Sequence, residues 1–346
     1  MDEARFRDII SGHATDAAAV LARPLLRAAS WPYGLVVMAR RAAYRRGWKR
    51  SHAAGVPVIS VGNITTGGTG KTPLVAWVVN FLKQRGRRPA VLIRGYKGRA
   101  GESDEAQLLS RLTGSPIVVN PDRIAGAAAA AVDGADVLVM DDGFQHQRLR
   151  RDLEIITLDA TCPFGYGALL PRGLLRERPA ALAIADALVL TRCDQVDPSA
   201  LAGLRVRLGQ LAPKAILAET AVRPMGIISL AGETQPADVV AGTNGWAFCG
   251  LANPENFYRT IEKLGGRLAG KTSFNDHHAY TQRDLRTILE KADAVGAGWV
   301  LTTAKDAVKL ERLADQLAGR IHWLAIEVSF LSGQMLLEER LHQLLA

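Results

Sequence analysis

Cysteine is scarce in this chain. Cys162, Cys193 and Cys249 are all it has in 346 residues, and no two form a C-x-x-C pair. That excludes a disulfide framework and a cysteine-based zinc site, and it fits reduced structural cysteines. A long apolar run is missing too. Within the apolar stretch near the start of the chain, the longest uncharged run, Ala28–Ala39, is twelve residues, well short of the ~20 that a membrane-spanning helix needs. Arginines flank and interrupt that stretch and no clear cleavage site follows, so it does not read as a secretory signal. There is no sequence repeat and no long low-complexity tract. Residues 17–101 contain no Asp or Glu, yet they carry sixteen Lys and Arg, more than the +9 net charge of the whole chain. A block of one sign asks for an anionic partner: nucleic acid, a membrane surface or a phosphorylated substrate. A merely solvated basic face is the alternative.

The length predicts two domains with ample cores. Apolar runs at Val58–Val61, Ala90–Ile93, Ile117–Val119, Val137–Met140, Leu153–Leu158 and Ala187–Leu190 read as strands of a parallel sheet covered on both faces. Helical stretches such as Leu74–Arg85 and Arg123–Val132 lie between most of them. The fold class expected is therefore α/β: a doubly wound, mainly parallel sheet with a phosphate-binding loop, followed by a second, smaller α/β domain. Residues 1–50 are expected to form a helical, membrane-interfacial segment attached to the first domain, because Leu25, Leu26, Trp31, Tyr33, Leu35, Val36, Val37 and Met38 are interleaved with and followed by arginines. A helix packed on its own domain is the competing reading. The first domain spans 51–225, a connection spans 226–245, and the second domain spans 246–346.

One stretch states a chemistry. VPVISVGNITTGGTGKT, Val56 to Thr72, is a buried strand running into a Gly/Thr loop that opens a helix, the order a phosphate-binding loop requires. Thr65, Thr66, Gly67, Gly68, Thr69 and Gly70 can aim backbone N–H groups at an anion, and the helix N-terminus adds partial positive charge. Lys71 can reach terminal phosphates and the Thr72 hydroxyl can ligate Mg²⁺. The usual G-x-x-x-x-G-K-[ST] pattern has glycine where this chain has Thr65. Val137–Met140 ends in Asp141-Asp142, and carboxylates at that end of a strand order Mg²⁺. Gly143 beside them permits close backbone approach.

Other segments are less specific. Asp104-Glu105 break the acid-free block after Ala90–Ile93; a kinase needs a carboxylate to take the acceptor proton, and helix capping is the alternative. Arg94-Gly95-Tyr96-Lys97-Gly98-Arg99 could clamp a phosphate or be a basic surface loop. In Asp276-His277-His278 a carboxylate could hold an imidazole for acid–base work. Thr191-Arg192-Cys193-Asp194 and Thr303-Ala304-Lys305-Asp306 weakly echo a base-reading signal of GTPases.

Together these motifs resemble one family, the tetraacyldisaccharide 4′-kinases of lipid A biosynthesis. The matching segments are VISVGNITTGGTGKTP, LIRGYKGR, SDEA, DDGFQHQRLRRD, LLPRGLLRERP, DHHAYT and TTAKDAVKL, in family order from about residue 20 to 320. The family tolerates residues other than glycine at position 65. Its loop looks related to the deviant phosphate loops of MinD-like ATPases, but Thr66 stands where those have an early lysine. The resemblance implies transfer of the ATP γ-phosphoryl group to the 4′-hydroxyl of a tetraacylated glucosamine disaccharide 1-phosphate, at the cytoplasmic face of the bacterial inner membrane, with ATP and Mg²⁺ as cofactors. It implies Asp104, His277 and Lys71 as catalytic residues. Thr72, Asp141, Asp142, Glu105 and Glu177 fall on the metal side and Arg176 on the nucleotide side. Arg94, Tyr96, Lys97 and Arg123 fall on the acceptor side. Arg176 and Glu177 lie in an LREP-like motif that here carries Arg178 inserted before Pro179. The partners implied are the lipid acceptor and an anionic membrane surface, with no specific nucleic acid and no obligate protein partner. The rival functions are a MinD-like or metallochaperone-type nucleotide switch and a nucleic-acid-binding ATPase.

Overall fold

The apolar runs become strands buried on both faces. In the computed structural model, residues 3–95, 103–276, 278–310, 313 and 319–345 are described. In chain order the elements are α1 (Glu3–Ser11), α2 (Ala17–Arg45), β1 (Val58–Asn63), α3 (Lys71–Gln84), β2 (Pro89–Ile93), α4 (Asp104–Thr113), β3 (Ile117–Val119), α5 (Arg123–Val132), β4 (Val137–Asp141), β5 (Leu153–Asp159), β6 (Ala187–Thr191), α6 (Pro198–Leu211) and β7 (Ile216–Ser229). They continue with β8 (Thr234–Gln235), β9 (Asn244–Cys249), α7 (Pro254–Lys263), β10 (Arg267–Ser273), α8 (Gln282–Ala294), β11 (Trp299–Thr303), α9 (Ala304–Leu310), β12 (Ile321–Ser332) and α10 (Gln334–Leu345).

Two compact units result. The first comprises Met1–Gly101, Thr113–Ala221 and Ser329–Ala346; the second comprises Glu102–Leu112 and Val222–Val328. In the first, β7, β6, β5, β1, β4, β2 and β3 pair in that order and in parallel. Every residue of β1, β2, β4, β5 and β6 is buried, which explains why their sequences are apolar throughout rather than alternating. In the second, β10, β9, β11 and β12 pair in parallel. Their core gathers Trp246, Phe248, Tyr280, Leu285 and Ile288 on one side and Phe257, Tyr258 and Ile261 on the other.

The domain limits differ from those expected. Residues 226–245 are not a plain connection: they include the end of β7, β8 paired antiparallel to it, and a 3₁₀ turn at Ala237–Val240. The last eighteen residues, with α10, group with the first unit, where Arg87 binds the Leu345 carbonyl and Arg340 pairs with Asp186 at 3.2 Å. And α4 groups with the second unit. Asp104, Asp276 and His278 therefore belong to one unit rather than to two.

Near the start of the chain, α2 is one helix of 29 residues despite Pro24 and Pro32. Its buried face carries Ala19, Ser30 and Gly34. Ser30 Oγ bonds the Leu169 carbonyl at 2.9 Å, and a side chain at position 34 would meet Leu169 Cδ1 at 2.9 Å. The opposite half exposes Val20, Leu21, Leu25, Trp31, Leu35, Val36 and Met38, with Leu25 71% and Trp31 73% exposed. The helix thus packs with one face and presents an apolar stripe with the other. Among the described residues no helix is long and apolar enough to cross a membrane.

Candidate active site

The C-terminal ends of β1, β4 and β6 carry the groups that can handle phosphate. β1 passes through Gly62, where a Cβ would sit 2.6 Å from Phe144 Cβ, so only glycine lets Phe144 pack there. The loop after it ends at Gly70, at φ 79°, a left-handed conformation that glycine takes without cost. Lys71 opens α3, and Pro73 falls in its first turn, where a missing N–H is tolerated.

Three strands hold the loop's shape. Asn63 Nδ2 donates to Thr69 Oγ1 at 3.1 Å, and Thr69 Oγ1 meets Thr157 Oγ1 at 2.8 Å. Thr191 Oγ1 donates to the Thr69 carbonyl at 3.0 Å. Arg192 donates to the Gly68 carbonyl at 2.9 Å and is fixed by Asp159 at 2.6 Å. Two successive loop carbonyls are thereby held by β6 and the residue after it. Because a trans peptide puts C=O and N–H on opposite sides, the N–H of Gly70 points away from Thr191. The first GTPase-like echo thus contributes Thr191 and Arg192 as braces of the phosphate loop.

At the end of β4 the chain turns sharply. Asp142 adopts φ 51°, uncommon for a residue with a side chain. Lys71 Nζ lies 3.5 Å from Asp142 Oδ1, and Arg176 Nη1 lies 2.9 Å from both of its oxygens. Burial alone would raise the Asp142 carboxyl, but Lys71 and Arg176 outweigh it and hold the group below the usual carboxylate range. Gly143 is forced: a Cβ there would lie 2.3 Å from Ser60 Oγ and 2.7 Å from Met140 Cε. Gln145 Nε2 binds the Asn63 carbonyl at 2.9 Å, tying this turn to β1. His146 is held neutral, its pKa pushed down to about 4 by burial and by Arg123, Arg148, Arg40 and Arg151.

Arg123 has a different task from the one expected. It is 4% exposed and donates to the Asp142 carbonyl at 3.0 Å and the Asp141 carbonyl at 2.5 Å. It supports the turn that presents the two carboxylates rather than facing an acceptor. Glu177 also departs from expectation. It is 3% exposed and pairs with Arg41 of α2 at 2.5 Å, while burial pushes its carboxyl upward against that pairing. The inserted Arg178 is exposed. The N–H groups of Arg176 and Glu177 both point at the Ile64 carbonyl, at 2.7 and 3.4 Å, and Tyr33 of α2 donates to the Arg176 carbonyl at 3.1 Å.

For a divalent cation the residues offer hard oxygen donors: the Thr72 hydroxyl and the Asp141 and Asp142 carboxylates, with Asp141 4% exposed at the end of β4. Mg²⁺ is commonly held by one or two carboxylates together with phosphate oxygens, so this set fits. Glu177, committed to Arg41, fits less well. Arg94 directly follows β2 and is exposed; Tyr96 and Lys97 lie outside the described residues.

In the second unit, Asp104 and Glu105 form the first turn of α4. Asp104 Oδ2 lies 3.8 Å from Lys309 Nζ. Asp276 Oδ1 accepts from Lys305 at 2.9 Å. His277 lies outside the described residues. His278 is engaged elsewhere: Nε2 is 3.2 Å from Asp284 Oδ2, and its ring stacks on Phe274 at 4.4 Å. The second GTPase-like echo is an anchored helix start, in which Thr303 Oγ1 donates to Asp306 Oδ2 at 2.8 Å and Asp306 N–H returns to Thr303 Oγ1 at 3.1 Å. Sequence reasoning gave Thr191 and Arg192 only a weak base-reading echo, counted Arg41 among the arginines of an interfacial segment, and gave Lys309 no role of its own. Each acts on a residue far away in the chain; the TTAKDAVKL match was the one signal that covered Lys309.

A parallel sheet whose first strand feeds a Gly-Lys-Thr loop, beside a strand ending in two carboxylates, defines a P-loop nucleotide-binding protein equipped for phosphoryl transfer. Residues 22–346 match the family model described as tetraacyldisaccharide-1-P 4′-kinase. A tetraacyldisaccharide 4′-kinase of Anaeromyxobacter sp. (strain K) is 39% identical over 350 residues, covering 95% of this chain and 92% of the relative. One of Geobacter metallireducens is 38% identical over 334 residues, covering 90% and 95%. Among solved structures, LpxK from Aquifex aeolicus, crystallised in complex with ATP, superposes with a TM-score of 0.74 at 27% identity, covering 94% of this chain and all of that one. The chain belongs to the tetraacyldisaccharide 4′-kinase family.

Proposed function

We infer that the protein transfers the γ-phosphoryl group of ATP to the 4′-hydroxyl of a tetraacylated glucosamine disaccharide 1-phosphate, a step of lipid A synthesis. The observation that carries this is the Lys71–Asp142–Arg176 cluster at the mouth of the phosphate loop in a chain of this family. Lys71, the N–H groups at the start of α3 and those of the loop not already bonded within the protein bind the β- and γ-phosphates and stabilise charge on the transferring group; contrary to expectation the Thr66 N–H is spent on the Leu174 carbonyl at 2.8 Å and that of Thr69 on the Gly67 carbonyl at 3.1 Å. Arg176 lies on the nucleotide side, where it also keeps Asp142 ionised and in place. Mg²⁺, held by Thr72 and Asp141 with Asp142 and with Glu105 as a further candidate, would neutralise phosphate charge. The acceptor oxygen forms its bond to the γ-phosphorus as the bond to the bridging oxygen of ADP breaks, and the hydroxyl proton passes to Asp104, with His277 as its acid–base partner. Arg94, Tyr96 and Lys97 bind the anionic acceptor. The exposed apolar face of α2, bordered by the acid-free basic block, rests on the anionic cytoplasmic surface of the inner membrane and brings a peripheral enzyme to acyl chains.

Purified protein with labelled ATP and tetraacyldisaccharide 1-phosphate in detergent micelles should yield the 4′-phosphorylated lipid. Hydrolysis of ATP at the same rate with and without the lipid, and no labelled lipid, would instead support a nucleotide switch.

A further inference from the structure

The motif TTAKDAVKL folds into the end of β11 and α9, and two of its lysines stand one helical turn apart, on one face. Lys305 Nζ donates to Asp276 Oδ1 at 2.9 Å. Lys309 Nζ lies 3.8 Å from Asp104 Oδ2 and 3.5 Å from Asp306 Oδ1. The Lys309 side chain is 8% exposed and that of Asp306 is fully buried. A buried ammonium is costly unless it is paired, and so is a buried carboxylate. Asp306 is itself locked, its Oδ2 accepting from the Gly250 N–H at 3.0 Å and from Thr303 Oγ1 at 2.8 Å. Its other oxygen faces Lys309, and the Tyr280 ring lies 5.8 Å from the ammonium. The cation is thus fixed from within the unit and reaches outward to the first residue of α4. A carboxylate at the start of a helix has several rotamers open to it, whereas a proton acceptor must hold one.

We propose that Lys309 is a positioning residue for phosphoryl transfer, holding the Asp104 carboxylate in its working orientation, while Lys305 does the same for Asp276, the residue before His277 in the sequence. This rests on the reading of Asp104 as the proton acceptor. One short helix then sets the places of both segments on which acid–base chemistry depends.

The test is steady-state kinetics with ATP and the lipid acceptor on Lys309→Ala, Lys309→Gln, Lys309→Arg, Lys305→Ala, Asp104→Asn and the double variant Asp104→Asn/Lys309→Ala, with thermal unfolding of each. Lys309→Gln retains a donor for Asp306 and keeps the question open to measurement if Lys309→Ala does not fold. Loss of orientation lowers kcat on the order of 10- to 100-fold in Lys309→Ala and Lys309→Gln, leaves KM for ATP unchanged, and is largely restored in Lys309→Arg. In the Asp104→Asn background the Lys309 change should cost little more, because both act through one group. A full kcat in folded Lys309→Gln would overturn the proposal. So would an equal loss with and without Asp104, which would make Lys309 a general structural residue. Asp104→Asn active to within a few-fold would sink the reading beneath it, whatever Lys309 does.

Discussion

Removing the Arg192 side chain tests how the phosphate loop is held. Arg192 gives the Gly68 carbonyl one charge-assisted hydrogen bond of 2.9 Å and is itself fixed by Asp159 at 2.6 Å. A hydrogen bond to a charged group contributes about 1.5–3 kcal/mol, reduced here because the contact lies at the surface. Thr191 still holds the Thr69 carbonyl, and Asn63 and Thr157 still hold the Thr69 hydroxyl, so the loop loses one of several braces. If about 1–2 kcal/mol of loop ordering must then come from ATP binding, affinity falls roughly 5- to 30-fold. Asp159 keeps the Thr161 N–H and hydroxyl on its other oxygen, at 3.0 and 2.7 Å, so the stability loss stays near ~1–2 kcal/mol. Arg192 also sits at φ 59°, a conformation that strains a residue with a Cβ by roughly 1 kcal/mol. Arg192→Gly should therefore lose less stability than Arg192→Ala, yet weaken ATP equally. Isothermal titration with a non-hydrolysable ATP analogue, beside thermal unfolding, reads both quantities. ATP affinity within twofold of the parent in Arg192→Ala would refute the bracing argument.

Other outcomes follow from the same geometry. The unfolded chain takes up a proton on His146 near pH 6.5, whereas the folded chain does so only at about 4, so stability declines as pH falls through that interval, by up to ~3 kcal/mol from this residue. His146→Gln should flatten urea-measured stability between those pH values, and an unchanged slope would exclude His146 as the cause. Gly143→Ala places a methyl against Ser60, whose hydroxyl is already committed to Glu154 at 2.7 Å; a destabilisation of about 1–3 kcal/mol is expected, and a Tm equal to the parent's would contradict the packing. Replacing Leu21, Leu25, Trp31 and Leu35 with glutamine removes about 1 kcal/mol of membrane contact each, so binding to vesicles of anionic phospholipid should drop at least ~100-fold with ATP affinity intact; unchanged partitioning would remove the membrane role from α2.

Much of this was legible in the chain itself, for reasons that differ by element. β1, β4, β5 and β6 are buried along their whole length, so apolar runs alone marked them. β7 was missed because the middle of its fourteen residues, 221–225, is half-buried or exposed and includes a proline, which breaks the run that betrays a covered strand. α2 continues through two prolines, which local rules read as stops. The phosphate loop and the paired aspartates showed because their ligand chemistry fixes residue types at fixed spacing. The supporting role of Arg123 did not show, because its partners are backbone carbonyls, which leave no trace in sequence. Arg41 with Glu177, and Arg192 with Gly68, lie more than a hundred residues apart in the chain; only the folded sheet brings them together.

The contacts of α2 have a practical consequence for handling the protein. Its Tyr33 holds the Arg176 carbonyl and its Arg41 neutralises Glu177, and Arg176 in turn holds Asp142. The helix is therefore a strut of the Arg176–Asp142 pair at the mouth of the Gly-Lys-Thr loop as well as an outward-facing surface. Trimming it to improve solubility would strip a buried glutamate of its counter-ion and loosen the arginine that holds Asp142. A truncated protein would then look catalytically feeble in micelles for reasons unrelated to lipid access, whereas polar replacements confined to the outer stripe would separate the two effects.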